Sequence, residues 1–472
     1  MLLTSIQAAV KAKIQGGSNR LTSYLLFATA AGAPFPFGSR DRATVAFWCI
    51  VLGIAAISAS VRDLGRPRQI LLLGVAFIAA WYSFVLHEQL SDRTWLANPH
   101  PLWAEASELL GTGLTPSVSI TKHEPFYSLG PPLAAALALV AGLVAGSDRL
   151  RARQLLTVVG WSGAGYALFG IVSTLFEPTM ILWHERHSGI GSVTGTFINR
   201  NTAATYFGSC TAIWLLVLAD RIRAWLLEAP VQAKLLIHDF LAKPPMAIVF
   251  AFSAFSVCLM ALLMSRSRAG VTVSLMVLVV ALTLFFHRNL AWRGGLGLLA
   301  AGASAAGLLL MQFLGGGVSQ RFDSDGLTDE GRFYTYRSTL QMIADHPWFG
   351  TGLGTFVWSF PSYRSGEVSL SGVWDLAHST PLELAADLGI PLAVIIGLGW
   401  ILALVLLIRG ALRRRRDRII PLAALSVALI GLLHSTVDFS LQVPGYAIVA
   451  FAVIGVGLAQ SFHTSSNHVK LD

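Results

Sequence analysis

The most regular feature of the chain is a series of apolar runs separated by short polar stretches. Most runs are about 18 to 22 residues long, which is the length that a helix needs to cross a hydrocarbon core of about 30 Å. Helices satisfy their backbone hydrogen bonds within one segment, so they are the elements expected where water is absent. We predict transmembrane helices at 22–38, 43–60, 69–86, 129–146, 155–176, 202–219, 246–265, 269–287, 294–315, 388–408, 419–436 and 444–462.

The polar stretches between these helices orient them. Arginine and lysine recur in every second connection, at 62–68, 149–153, 221–243, 288–293 and 409–418. Cytoplasmic loops carry such an excess of positive charge, so these connections are expected on the cytoplasmic side, together with both chain termini. The run Arg413, Arg414, Arg415 and Arg416 then serves as a topology anchor and a contact for lipid phosphates.

Composition agrees with this interpretation. Hydrophobic residues make up 54% of the 472 residues and charged residues 12%, whereas soluble domains carry about 25% charged residues. The formal net charge of +9 lies mostly in the connections, and no basic stripe is interleaved with aromatic residues, so we expect no nucleic-acid partner. The fold class is an all-α integral membrane protein with about twelve transmembrane helices and a large, partly helical loop.

Two long loops, at about 87–128 and 316–387, fall on the non-cytoplasmic side. Residues 332–344 show helical spacing of large apolar side chains, His346-Pro347 ends that helix, and the glycines of GTGLGTF indicate a tight turn. We divide the chain into N-terminal helices (1–190), helices that carry arginine motifs (191–315), the large loop (316–387) and C-terminal helices with a short cytoplasmic tail (388–472).

His378 is the first candidate for chemistry. It precedes a helix start that Ser379 or Thr380 can cap, so it lies at the boundary between water and lipid. A single interfacial histidine is more often structural than catalytic. The segment SRSRAG places Arg266 and Arg268 between two apolar runs on the same side. Such a pair either extends its side chains towards water or binds a phosphate group, whose oxygens guanidinium groups match.

Arg200 stands between Asn199 and Asn201 at the start of a membrane helix. Asn201 can cap that helix, whose free N–H groups favour anions; the alternative is a capped start with an interfacial arginine. Further along, Arg332 and Arg337 are five residues apart, so at most one of them points into a given site.

His434 and Asp438 have i,i+4 spacing, and a structural hydrogen bond on one helix face is the favoured interpretation. Metal signals are weak. The acidic cluster Asp323, Asp325, Asp329 and Glu330 resembles half of an EF-hand loop without its continuation, and HERH at 184–187 is not the zinc-protease motif. We predict neither a metal site nor a cofactor.

Taken together, these motifs resemble one family. GRFYTYRSTLQMIADHPWFGTGLGTF (331–356) followed by AHSTPLELAADLGI (377–390) is similar to the signature domain of the O-antigen ligase and polymerase family. SRSRAG and GTFINRN (195–201) resemble its upstream motifs, and HSTVDFSLQVPG (434–445) resembles a segment near the C-terminus of many members. The resemblance covers roughly residues 190–460.

The resemblance implies a GT-C-like, metal-independent, inverting glycosyltransferase at the periplasmic side of the bacterial inner membrane. Its donor would be a glycan linked to a polyprenyl diphosphate, for example undecaprenyl diphosphate. His378 would be the essential histidine and Arg268 would bind the diphosphate, with Arg200, Arg266 and Arg332 as further contacts. Ser379 follows His378 where asparagine is common in the family.

The acceptor stays open at this point. Ligase members transfer the glycan to lipid A-core in lipopolysaccharide, and polymerase members transfer it to another lipid-linked repeat, as in exopolysaccharide synthesis. Membrane lipids and other polysaccharide assembly proteins of the envelope are the remaining expected partners. The alternatives are a transporter or flippase of lipid-linked glycans and a non-catalytic scaffold. A transporter usually has ionisable groups within the membrane, and the predicted helices carry few charges away from their ends.

Overall fold

The computed structural model describes residues 19–62, 64–186, 189–228, 244–287, 330–368, 373–414 and 416–462. The first part contains α1 (Arg20–Gly32), α2 (Arg42–Ile57), α3 (Arg66–Leu90), α4 (Leu102–Leu110), α5 (Glu124–Tyr127), α6 (Gly130–Ala145) and α7 (Arg149–Phe176). An antiparallel hairpin of β1 (Met180–Ile181) and β2 (His184–Glu185) follows. The rest contains α8 (Arg200–Glu228), α9 (Met246–Met264), α10 (Arg268–Phe286), α11 (Glu330–Asp345), α12 (Phe356–Ser359), α13 (Thr380–Leu388), α14 (Ile390–Arg413), α15 (Ile419–Ser435) and α16 (Pro444–Gln460).

The structure is mostly helical and confirms a multi-pass membrane protein. Seven helical segments of the described residues are long and apolar enough to cross a bilayer: Arg66–Leu90, Glu124–Ala145, Arg149–Phe176, Arg200–Leu227, Met246–Met264, Arg268–Phe286 and Ile390–Arg413. The helices α2, α15 and α16 are apolar but shorter. The predicted helix at 294–315 and the acidic residues Asp323, Asp325 and Asp329 lie outside the described residues, so twelve crossings stay a prediction.

Several helix boundaries differ from the predicted ones, and two of the differences have local reasons. The first helix ends at Gly32 rather than at 38, because Pro34 and Pro36 follow it and proline cannot continue the hydrogen-bond ladder. The helix predicted from 388 begins at Ile390, since Gly389 adopts φ 85° and separates α13 from α14. A left-handed or extended glycine of this kind is a common helix stop.

Small residues let the central helices approach each other closely. A Cβ on Gly142 of α6 would lie 2.5 Å from the carbonyl oxygen of Ala452 on α16, and one on Gly455 would lie 2.4 Å from that of Leu139. Close backbone approach of this kind is a main source of helix association in lipid. By contrast, 11% of the apolar membrane-spanning stretch of α3, and the same share in α14, is buried inside the protein. The share is 89% in α8, so α3 and α14 lie at the lipid-facing periphery.

One end of the bundle, here called the arginine face, consists of the connections at 58–65, 146–148 and 414–418. Arg68 Nε donates to the carbonyl of Ala459 at 2.9 Å, and Arg414 donates to the carbonyl of Gln460. The Gln460 amide in turn donates to the carbonyl of Gly146 at 2.6 Å. These contacts place the positively charged connections at one end of the molecule, as predicted. Arg288, Arg293, Lys234 and Lys243 lie outside the described residues.

The other end, here called the loop face, contains residues 91–123, 330–368 and 373–389, which pack against each other. The connections at 33–41, 180–186, 189–199, 265–267 and 436–443 belong to the same end. The Gln89 amide donates to the carbonyls of Phe349 and Asp387 at 2.7 and 2.8 Å. The Gln89 Oε1 accepts from the backbone N–H of Leu353 at 3.0 Å. Gly352 has φ 116°, and a Cβ there would lie 2.2 Å from Ser119 Oγ. The predicted tight glycine turn is therefore confirmed, and it joins the two long loops into one layer.

Candidate functional site

Two membrane helices begin side by side at the loop face. At the start of α10, the Ser267 hydroxyl accepts from the backbone N–H of Gly270 at 3.2 Å and caps the helix that begins with Arg268. At the start of α8, Asn199 Oδ1 accepts from the backbone N–H of Asn201 at 2.6 Å. Asn199 therefore caps the Arg200 helix, and the prediction that Asn201 does so is wrong.

The Asn201 side chain instead links three of the predicted motifs. Its Oδ1 accepts from Ser267 Oγ at 2.8 Å, and its amide donates to Asp438 Oδ2. Asp438 is 1% exposed, so its carboxylate is satisfied by protein groups rather than by water. The buried Asp438 thus holds the start of α8, the arginine motif and the C-terminal motif in one hydrogen-bonded chain.

Arg332 of α11 joins the same chain. Its Nη1 donates to the carbonyl of Val437 at 2.9 Å, and its Nη2 lies 3.9 Å from Asp438 Oδ2. Arg337, on another face of α11, is exposed. The expectation that only one of the two arginines points inward is met, and α11 ends at Asp345, before the His346-Pro347 pair, as predicted.

The predicted pairing of His434 with Asp438 on one helix face is wrong. The helix α15 ends at Ser435, so Asp438 lies beyond it and i,i+4 geometry no longer applies. His434 Nδ1 lies 3.0 Å from the Ser440 hydroxyl, which also accepts from Thr205 Oγ1 at 3.1 Å. His434 is therefore part of the packing between α15 and α8, and Asp438 is left to contact Asn201 and Arg332.

His378 lies beside this network of hydrogen bonds and has an unusual backbone conformation. Its φ is 52°, in the left-handed region that costs a non-glycine residue roughly 1 to 3 kcal/mol. The Tyr336 hydroxyl donates to its carbonyl at 2.9 Å, and the Phe439 ring centroid lies 5.2 Å from its imidazole. Strain that neighbouring groups hold in place is concentrated at functional sites, and here it fixes the direction of the imidazole.

The helix α13 that follows His378 starts without the predicted cap. Ser379 occupies the N-cap position but makes no capping hydrogen bond with its side chain. Thr380 Oγ1 instead donates to the carbonyl of Asp438 at 3.3 Å. Both capping predictions are therefore wrong, and the Thr380 hydroxyl ties the His378 segment to the same buried aspartate.

A buried carboxyl group holds the other side of the His378 segment. Glu383 Oε2 accepts from the backbone N–H of Ala377 at 2.7 Å, one residue before His378. Burial and the neighbouring Asp387 raise the pKa of Glu383 well above its usual value, which favours the neutral form of this carboxyl group. Burial likewise raises the pKa of Asp387, which accepts from the backbone N–H of Gly354 at 2.7 Å.

Arg266 is the most accessible of the predicted arginines. It is exposed, its φ is 55°, and a Cβ on Gly191 would lie 3.5 Å from its Nη1. The segment 189–196 therefore runs past its guanidinium group. Arg200 and Arg268 are half-buried at the starts of their helices. The structure thus places all five predicted site residues on the loop face, on segments that converge on Asp438.

Residues 253–397 match the family model described as O-antigen ligase. The match covers roughly a third of the chain and supports the O-antigen ligase family for this part of it. The match contains Arg266, Arg268, Arg332 and His378, whereas Arg200 and Asp438 lie outside it and reach the site through the fold. Comparison with curated proteins gives no match.

An O-antigen ligase domain indicates a membrane glycosyltransferase of the ligase or polymerase type. The sequence pointed to candidate arginines and a candidate histidine, but not to two buried acidic residues that contact their segments, Asp438 and Glu383. Asp438 was interpreted only as a partner of His434, and Glu383 was not singled out. The available signal for Glu383 was its spacing of four from Asp387 among the apolar residues of LELAADL, close to a candidate histidine.

Proposed function

We propose that the chain transfers a glycan from a polyprenyl-diphosphate-linked donor to an acceptor hydroxyl, with inversion at the anomeric carbon. One observation carries this proposal. The chain of contacts through Asp438 gathers His378, Arg332 and the starts of the Arg200 and Arg268 helices at one end of the bundle. A base and several cations at a lipid boundary suit a reaction whose leaving group is an anion.

The diphosphate is that leaving group. The N-terminus of a helix carries a partial positive charge and unpaired N–H groups, and α8 and α10 both begin at this site. Guanidinium groups match phosphate oxygens, so Arg268, Arg200 and the exposed Arg266 would hold the two phosphates. Arg332 lies behind Asn201 and Asp438, and would complete the positive field from that side.

His378 would act on the acceptor. A histidine has an unperturbed pKa of about 6.5, so its neutral form can accept the hydroxyl proton at physiological pH. As that proton moves to the imidazole, the acceptor oxygen bonds to the anomeric carbon of the donor. The bond from that carbon to the diphosphate oxygen breaks, and the arginines stabilise the departing anion. Attack from the face opposite the leaving group inverts the configuration.

The orientation of the protein in the membrane is also part of the proposal. We place the loop face in the periplasm and the arginine face with both termini in the cytoplasm of a bacterial inner membrane. We also propose that the chain crosses the membrane twelve times in a GT-C-like arrangement. The boundaries between its four regions would lie at residues 190, 315 and 387. The acceptor is either lipid A-core or a second lipid-linked repeat, and undecaprenyl diphosphate is the proposed carrier.

Two single substitutions test the mechanism. With purified protein, lipid-linked donor and acceptor, His378→Ala should lower kcat by about 10²- to 10⁴-fold, the usual contribution of a general base. Arg268→Ala should lower it by roughly 10²- to 10³-fold, as loss of an anion-stabilising donor does. Arg337→Ala is the matched control, since Arg337 is exposed on another face of α11. Turnover at the wild-type rate by either site variant would exclude that residue from the mechanism.

The same assay separates the proposal from the transporter alternative. A flippase moves the lipid-linked glycan and forms no new glycosidic bond, so purified protein would yield no transferred product. Among the described helices, the buried Glu88 lies near the end of α3, where its carboxylate accepts backbone N–H bonds from Trp95, Leu96 and Ala97. Glu88 therefore closes a helix end and does not line a path through the membrane.

A further inference from the structure

A cluster of aromatic rings lies on the loop face outside the site described above. Trp183 occupies the tip of the β1–β2 hairpin, and its ring centroid lies 5.0 Å from Phe37 and 6.0 Å from Phe35. The His184 imidazole lies 4.9 Å from the Phe37 ring. These four residues, Phe35, Phe37, Trp183 and His184, are called the aromatic platform below.

The aromatic platform borders the candidate site on two sides. The Thr196 hydroxyl, in the segment before Arg200, donates to the carbonyl of Pro34 at 2.6 Å. On the other side, Arg40 forms an ion pair of 3.0 Å with Asp375, three residues before His378. The platform therefore lies where a molecule that reaches His378 from the loop face would extend.

The backbone that carries these rings adopts unfavourable conformations. Phe37 has φ 51° and Leu182, beside Trp183, has φ 52°, which are rare conformations for large side chains. The turn is held by a hydrogen bond of 2.5 Å from the Ser39 hydroxyl to the carbonyl of Ala33 and one of 2.9 Å from Trp48 Nε1 to Ser39. Despite this support, Trp183 stays 59% exposed and Phe35 43% exposed.

Polar groups surround the rings. The side chains of Arg40 and Asp375 are 53% and 49% exposed, and His184 and Glu185 are exposed as well. Aromatic faces carry negative charge density and pack against the polarised C–H bonds of a pyranose ring. Carboxylate, guanidinium and imidazole groups can then hydrogen-bond the hydroxyls at its edge. These exposed polar groups are the partners that the hydroxyls of a sugar need and that a lipid acyl chain does not use.

We propose that the aromatic platform is a sugar-binding subsite that stacks a pyranose ring of the glycan entering the site. This inference rests on the proposed function for the identity of its ligand, but not on the chemistry at His378. Stacking on Trp183 would position the glycan laterally while the arginines hold the diphosphate. The subsite would therefore contribute to binding of the glycan and not to binding of the lipid carrier.

The experiment compares ring loss with ring exchange at one position. Trp183→Leu keeps an apolar side chain and removes the aromatic face, whereas Trp183→Phe keeps a face. Trp95→Leu is the matched control, because Trp95 is 70% exposed on the loop face and packs against Phe84 and His87. Phe37→Leu serves as a second ring-loss variant if Trp183→Leu fails to fold.

Binding is measured by calorimetry on full-length protein in lipid nanodiscs, with two probes. One is the oligosaccharide released by mild acid from the lipid-linked glycan of the source membranes, and the other is undecaprenyl diphosphate. We expect Trp183→Leu to weaken oligosaccharide binding about tenfold and to leave undecaprenyl diphosphate binding unchanged. Trp183→Phe and Trp95→Leu should bind both probes as the wild type does.

Three results would overturn the subsite: unchanged oligosaccharide affinity in Trp183→Leu, an equal loss for both probes, or no oligosaccharide binding by the wild type. An equal loss for both probes would instead identify the platform as a lipid-surface anchor, to which interfacial aromatic residues are also suited. Because binding needs no turnover, failure of the subsite stays distinct from failure of the proposed transfer reaction, which His378→Ala tests.

Discussion

The two ends of the molecule use arginine in opposite ways. At the arginine face, Arg149 and Arg153 pair with Asp417, whose side chain is fully buried, and Arg418 lies over the Phe285 ring at 4.8 Å. There the cations join the ends of helices. At the loop face, the buried Asp438 accepts a hydrogen bond from the Asn201 amide and lies near the Arg332 guanidinium group. Arg266, at the same face, is exposed.

The helix α10 makes the separation visible, since Arg268 begins it and Phe285, beneath Arg418, lies near its end. A helix of 19 residues is about 28 Å long, close to the thickness of a hydrocarbon core. The conspicuous arginine run near 414 therefore cannot contribute to the site. Exposure does not separate the two sets of arginines, since Arg149 and Arg153 are about half exposed and Arg332 is 26% exposed. They differ in the end of the molecule at which they lie.

The sharpest test of this comparison is removal of the charge of each buried aspartate. Asp438→Asn should lower kcat for transfer about a hundredfold, because a displacement of about 1 Å in a positioned group can cost that much. Thermal stability should fall as well, since both carboxylate oxygens accept hydrogen bonds, from Asn201 and from the Phe439 backbone, and an amide can accept at one end only. The measurement is steady-state transfer together with Tm in detergent. Asp417→Asn is the matched control and should keep the wild-type kcat; equal losses in both variants would remove the distinction between the faces.

The Glu383 carboxyl group offers a test on the loop face alone. Burial favours the neutral form of Glu383, whose Oε2 accepts from the backbone N–H of Ala377, and Glu383→Gln preserves a neutral acceptor of the same shape. We expect Glu383→Gln to keep kcat within about twofold, whereas Glu383→Ala should lose roughly tenfold by releasing the His378 segment. KM for the donor should stay constant in both. A large loss in Glu383→Gln would show that the ionised carboxylate is needed.

At the arginine face the expected effect is on stability. Asp417→Asn leaves Arg149 and Arg153 without their shared counter-charge, and both arginines are about half exposed, which reduces the penalty. We expect a loss of about 1 to 2 kcal/mol and a lower Tm, measured by thermal unfolding in detergent. Arg151→Ala, a change in the same connection that leaves both ion pairs intact, should lower Tm less. No change in Tm for Asp417→Asn would contradict the structural role of this face.

The smallest effect concerns the contact between the two long loops. His100 and His346 stack at 4.4 Å, and the Leu102 backbone N–H donates to His100 Nδ1 at 3.1 Å. Burial and His346 lower the pKa of His100 to about 4, and burial lowers the pKa of His346. Since both folded pKa values lie below the unfolded value near 6.5, their stabilising contribution is present above that pH and is lost as the pH falls towards 4.

Hydrogen exchange at pH 7 and pH 5 measures this effect. Residues 97–120 should have lower protection factors at pH 5 than at pH 7, after correction for the slower intrinsic exchange at pH 5, while those of α15 and α16 should not change. His346→Phe keeps a ring to stack on His100 and removes one titrating group, so the pH response should become smaller. An identical response in His346→Phe would mean that the loops loosen for another reason.

Much of the fold could be predicted from the chain because its causes are local. Length and hydropathy predict a membrane helix wherever lipid is the solvent, and the arginines at 62–68, 149–153 and 409–418 indicated one common face. The spacing of Arg332 and Arg337 and the glycines at 350–354 were interpreted correctly for the same reason. Helical faces and left-handed turns depend on near neighbours in sequence.

The choice of partners in the site was decided only by the tertiary structure. Asp438 was predicted to pair with His434, four residues away, but it bonds Asn201, which is 237 residues away in sequence. The helix α15 ends at Ser435, before Asp438, and the segment that follows contacts α8 through Ser440 and Thr205. Asn199 rather than Asn201 caps α8 for the same reason, since Asn201 has a better partner across the interface. Local spacing offers candidate contacts, and long-range packing decides which of them form.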